Sequence, residues 1–142
     1  MSEAMGLAER LFTIAGSSDI AARQRLIHPD CEIVMSGAGR LTREELADYS
    51  RVLATAFPRA EHAIDRILEI GDSVVVQGSW IATHTGPFVT PHGHIPATGR
   101  TINTRLCLVC RVRDGQAVSI HGYWDQLEML EQLGLVPEPE AV

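Results

Sequence analysis

The sequence predicts an α+β domain in which helices come first and a curved antiparallel sheet then wraps around them as a cone with an apolar mouth. Three observations carry this reading. Apolar residues recur at helical spacing in the early part of the chain; from Ala60 onward the period becomes strand-like; and turn signals divide that later part into neighbours that pair as a meander. At 142 residues, 45% hydrophobic and 21% charged, the chain has the size of one domain spanning 1–142, with 137–142 a frayed tail.

The first helix is marked by Ala4, Leu7, Ala8, Leu11, Ile14 and Ala15, with Ser2 as its cap and Gly16 at its end. A weaker helical stretch covers 18–27, closed by the turn signal His28-Pro29-Asp30, and 31–35 reads as a short strand. Thr42 followed by Glu45 is a capping box for a helix whose apolar stripe is Leu46, Tyr49, Leu53, Ala56 and Phe57, stopped by Pro58. Segments 60–70, 73–85, 100–113 and 116–124 are strands, separated by Gly71-Asp72, the Gly/Pro/His stretch 86–99, and Asp114-Gly115. A last helix carries Leu127, Leu130 and Leu133 and ends at Gly134.

Requiring apolar residues on one side sets the faces. A two-residue Asp114-Gly115 loop would pair Leu108 with His121 and mix them, so the expected loop is the three residues Arg113-Asp114-Gly115, pairing Cys110 with Val118, Leu108 with Ile120 and Leu106 with Gly122. The inner face then holds Leu106, Leu108, Cys110, Val118, Ile120, Gly122 and Trp124. Val74, Val76, Gly78, Trp80, Ala82 and His84 face inward on the preceding strand. Arg105, Cys107, Val109, His121 and Tyr123 form a mixed outer face of the kind a homodimer covers.

Composition narrows the chemistry. All 12 basic residues are arginine, which excludes Schiff-base lysines and the lysine of a phosphate-binding P-loop. A net charge of −6 with scattered arginines argues against nucleic acid or a membrane as partner and leaves a hydrophobic small molecule. The N-terminal residues match neither a signal peptide nor a membrane span, and three cysteines without a disulfide framework point to the cytoplasm. Cys107 and Cys110 point to opposite faces of a strand, so they form neither a disulfide nor a chelate. His92-Gly93-His94 lacks the acidic partner a metal site would want, and no metal or cofactor is expected.

Five short motifs stand out in the second half of the chain: Thr83-His84-Thr85-Gly86-Pro87-Phe88, Pro96-Ala97-Thr98-Gly99-Arg100, Arg113-Asp114-Gly115, Trp124-Asp125-Gln126 and Gln132-Leu133-Gly134. With these residues the chain resembles the SnoaL-like polyketide cyclases of the nuclear transport factor 2-like (cystatin-like) superfamily. The resemblance implies a cone-shaped α+β barrel, a deep apolar cavity, frequent homodimers and a cofactor-free intramolecular aldol closure. It also implies an acid/base aspartate on the last strand, two residues after a histidine. Those positions fall at Gly122 and Ile120, neither of which titrates.

The candidate catalytic residues are therefore His84, a base near neutral pH or a structural imidazole, and Asp125, an acid/base or the cap of the final helix paired with Glu128. Tyr49, Phe57, Trp80, Phe88, Leu106, Leu108, Gly122 and Trp124 are the candidate substrate-binding wall, or plain core. Three functions stay open: a cofactor-free cyclase, isomerase or dehydratase on a polyketide-like or terpenoid-like compound; a binding domain that has lost the aspartate; and a structural homodimer with a filled cone.

Overall fold

The computed structural model describes residues 1–14, 19–91 and 93–137. The N-terminal helix α1 (Glu3–Thr13) starts where Ser2 accepts a hydrogen bond from Met5 N–H, and its apolar stripe buries Leu7, Ala8, Leu11 and Phe12. Each of the large side chains contributes about 1.5–3 kcal/mol by leaving water. The expected stop at Gly16 lies outside the described residues. A short α2 (Ile20–Arg25), capped by Asp19, leads into β1 (Ile27–Met35).

The expected turn at His28-Pro29-Asp30 is inside this strand. β1 begins at Ile27, and the irregularity appears as a register slip between Ile27 and Glu32. Pro29, which has no N–H to donate, sits in that slip. Gly39–Leu41 adds a short edge strand β2, and α3 (Arg43–Ala56) follows with the Thr42/Glu45 capping box formed as expected.

Strands β3 (Glu61–Ile70) and β4 (Ser73–Thr83) form the first long hairpin. The stretch read as a loop contains a small hairpin, β5 (Phe88–Thr90) with β6 (Gly93–Ile95). Then come β7 (Thr101–Arg113), β8 (Gln116–Trp124) and α4 (Gln126–Gln132). Gly134 has φ +75°, the left-handed ending expected of it.

The six-stranded sheet has the order β2-β1-β8-β7-β4-β3. All neighbours are antiparallel except β1 and β8, which run parallel. Parallel pairing needs a long crossover, here α3 and the whole meander. On the inner face, Val74, Val76, Leu108, Cys110 and Ile120 form one core with Leu7, Leu11 and Phe12 of α1. A second core joins Phe57, Trp80, Phe88, Ile102, Met129 and Leu133.

The β7–β8 hairpin corrects the expected register. Its loop is the two residues Asp114 (φ 51°) and Gly115 (φ 75°) between Arg113 and Gln116. The mixing of faces that argued against this loop is removed by a bulge: Val112 pairs with Ala117 but Arg111 pairs with Ser119, leaving Val118 as the extra residue. Beyond the bulge Cys110 faces Ile120, Leu108 faces Gly122 and Leu106 faces Trp124. Val118, expected inside, is half-buried, and Ala117 takes the buried place.

Candidate binding pocket

Between α3 and the inner face of the sheet lies a half-open pocket of about 70 Å³. Helical spacing on α3 sends Leu46, Tyr49 and Leu53 into it, and strand alternation on β7 sends Thr104, Leu106 and Leu108. Met35 of β1, Trp124 of β8 and Met129 of α4 complete the apolar wall. Across the sheet, His62, Trp80 and Thr104 form one row, since His62 pairs with Trp80 and Trp80 with Thr104. All three line the pocket.

Arg23 of α2 enters the same pocket with only 5% of its surface exposed. Its Nη1 donates to Ser50 Oγ at 2.6 Å, and Ser50 is itself buried. Burial pulls the Arg23 guanidinium down to about 10, opposed by Cys110 and then Tyr49, and pushes the Tyr49 phenol up to about 12, opposed by Arg23. Arg23 Nε, Trp80 Nε1 and Thr104 Oγ1 are buried without a hydrogen-bond partner. Polar atoms in that state are uncommon in a folded interior and mark where a partner belongs.

Of the residues expected to bind substrate, Tyr49, Trp80, Leu106, Leu108 and Trp124 line the pocket. Phe57 and Phe88 do not: their rings meet edge to face at 5.9 Å in the second core. Gly122 lies beneath the pocket floor, where a Cβ would stand 2.5 Å from Met35 Sδ and 3.2 Å from Leu108 Cδ2. Met35 thus occupies the room in which the family resemblance implies an aspartate.

His84 is fully buried but is not in the lining of this pocket; its ring lies 5.1 Å from that of Phe57, tilted by 35°. Its Nδ1 accepts from Thr98 N–H at 3.2 Å, which assigns the ring proton to Nε2, and Thr98 Oγ1 is 3.0 Å from the same nitrogen. Burial lowers its pKa, with a smaller opposing contribution from the Gly86 backbone. Asp125 caps α4, accepting from Glu128 N–H at 3.0 Å, and faces a shallow groove on the outer side of the sheet with Arg105, Cys107 and Tyr123.

Sequence reasoning missed Arg23, His62 and Thr104. The alternation His62, Ile64 on β3 carries the signal for the histidine. Arg23 was hidden because a six-residue helix is too short for a periodic pattern to say which of its two arginines, Arg23 or Arg25, faces inward. Cys107 is half-buried and Cys110 buried, and both are free thiols. His92 lies outside the described residues, among which no three His, Cys, Asp or Glu side chains converge as a metal site. No helix among the described residues is long and apolar enough to cross a membrane.

A sheet coned around helices, with a small apolar pocket inside, is the nuclear transport factor 2-like fold. The model of the SnoaL-like polyketide cyclase family matches residues 6–133, and the chain belongs to that family. Among solved structures it is similar to a provisionally assigned SnoaL-like polyketide cyclase from Jannaschia sp. CCS1, at 21% identity and TM-score 0.80 over 95% of this chain and 94% of that one. IdmH from Streptomyces antibioticus, provisionally assigned as a polyketide cyclase, is 25% identical with a TM-score of 0.77 over 94% and 99%. AclR from Streptomyces galilaeus, provisionally assigned as a hydroxylase, is 20% identical with a TM-score of 0.82 over 97% and 89%. No protein of curated function matches the sequence.

Proposed function

We propose that the protein binds a small hydrophobic molecule in the pocket between α3 and the sheet. The observation that carries this is the pocket's make-up: an apolar wall whose lining includes Arg23, Trp80 and Thr104, each with a buried polar atom that has no protein partner. That is the composition of a ligand site, where apolar area gives affinity and sparse polar groups give orientation. The volume suits one small ring; a polycyclic ligand would extend through the open mouth.

Trp80 and Trp124 are the two tryptophans of the chain and both line the pocket, so intrinsic fluorescence reports directly on occupancy. Titration with indole-free aromatic probes such as naphthalene is expected to give a saturable change that is lost when Leu106→Phe fills the pocket. A linear, non-saturable response, or one unaltered by the variant, would overturn the proposal.

A second reading, cofactor-free proton transfer of the cyclase, isomerase or dehydratase type, is favoured by one further observation: His62 is in the pocket lining beside Trp80. In this reading His62 is the acid/base, in preference to His84 and Asp125, which lie outside the pocket. Multiple turnovers of a bound diketone that disappear in His62→Phe while binding persists would support it; binding with no turnover would leave the first reading alone.

A further inference from the structure

We infer that the pocket's ligand carries a delocalised oxygen anion, a carboxylate or an enolate, on an apolar body, and that Arg23 holds that anion. The inference rests on the pocket-binding reading above and deepens it.

Arg23 is a nearly buried cation whose side-chain partner among the described residues is the neutral hydroxyl of Ser50. The arginine–carboxylate pairs among the described residues belong to Arg40, Arg43, Arg51, Arg105 and Arg111, all more exposed than Arg23. A buried charge without a counter-charge destabilises a fold, and proteins almost always pair such groups. Arg23 retains this cost while lining a pocket.

The hydrogen-bonding inventory of the pocket has the same sign. Arg23 Nε and Trp80 Nε1 can only donate, and Thr104 Oγ1 can donate as well; none has an acceptor. Two obligate donors and a positive charge are complementary to an acceptor-only group with spread negative charge. Carboxylate and enolate oxygens have that chemistry, and a guanidinium matches their planar geometry. Leu46, Leu53, Leu108 and Met129 give the remainder of the ligand an apolar wall, beside which Tyr49 and His62 are the other polar-tipped side chains of the lining.

The test compares benzoate with its neutral isostere benzamide, and with the enolate of dimedone, on wild type and Arg23→Met at neutral pH, read by tryptophan fluorescence. Wild type is expected to prefer benzoate over benzamide by about ten- to a hundredfold, the range of a charge-assisted hydrogen bond. Arg23→Met should abolish that preference, with benzoate losing far more affinity than benzamide. An Arg23-dependent preference shown by dimedone and not benzoate assigns the anion as enolate; the converse assigns carboxylate.

Equal wild-type affinity for all three probes overturns the anion and leaves the pocket reading standing. Preference that survives in Arg23→Met overturns the role of Arg23. Binding of none of the probes overturns the pocket reading, and the anion with it. The wild-type comparison tests the anion without any variant.

Discussion

His84 Nδ1 accepts a hydrogen bond from the backbone N–H of Thr98 at 3.2 Å, and Arg100 O in turn accepts from His84 N at 2.9 Å. Together these bonds clamp the end of β4 to the segment before β7, under the ring of Phe57. An imidazole placed in this way works as a bracket. His84→Ala should cost about 2–4 kcal/mol, from the cavity left beside Phe57 and the orphaned Thr98 N–H. Urea unfolding measures the loss, and amide exchange should show Thr98 as the newly exposed site.

The same bracket makes stability depend on pH. Burial lowers the His84 pKa in the folded state below its ordinary value, so as pH falls through about 6.5 the unfolded chain takes up a proton that the folded protein refuses. Stability therefore declines on acidification, from about neutral down to the lower folded-state pKa. His84→Asn should flatten that slope in chemical denaturation curves recorded at several pH values; an unchanged slope would show that the proton is taken up elsewhere.

Arg23→Met should raise the stability of the unliganded protein. A guanidinium held down to about 10 corresponds to a folding cost on the order of 3 kcal/mol, offset by about 1 kcal/mol for the Ser50 hydroxyl left behind. Because the folded-state pKa is depressed, the cost is present in full below about pH 10 and is relieved only above it. The gap between variant and wild type should thus stay constant through neutral pH and narrow under strongly alkaline conditions.

Gly122→Asp should destabilise the protein by about 1–3 kcal/mol, since its Cβ meets Met35 Sδ at 2.5 Å. Combining it with Met35→Ala should recover part of the loss by opening room for the new side chain. Thermal melts of the two single variants and the double variant test whether the losses are non-additive.

Asp125→Ala should cost about 1 kcal/mol through loss of the α4 cap. Probe affinity in the pocket is expected to be unaltered, because Asp125 faces the opposite side of the sheet. A fall in pocket affinity comparable to that of Leu106→Phe would contradict the placement.

Much of this architecture is legible in the sequence because it rests on local signals. The Thr42/Glu45 capping box, the Leu46/Tyr49/Leu53 stripe and the alternation along β7 each announce an element and its buried face. The β7–β8 register was not, because a bulge at Val118 lets a two-residue loop and a consistent inner face coexist. Strict alternation forces a choice between those two features. The pocket was half legible for a related reason: apolar lining follows from period, whereas Arg23, His62 and Thr104 matter through where α2, β3 and β7 meet in space. His84 shows the opposite limit, a residue rightly assigned inward whose inward surroundings are a second core rather than the pocket.

The parallel pairing of β1 with β8 has a consequence in time. Glu32 meets Ser119 and Met35 meets Gly122, so the inner half of the sheet closes only when nearly the whole chain is available. Contacts so distant in sequence slow folding, because the loop must be closed before they repay its entropy. While the chain is being synthesised, β1 has the short β2 on one edge and an open row of backbone donors and acceptors on the other until Gln116–Trp124 arrives. That edge is the part of the nascent protein most open to pairing with the wrong strand.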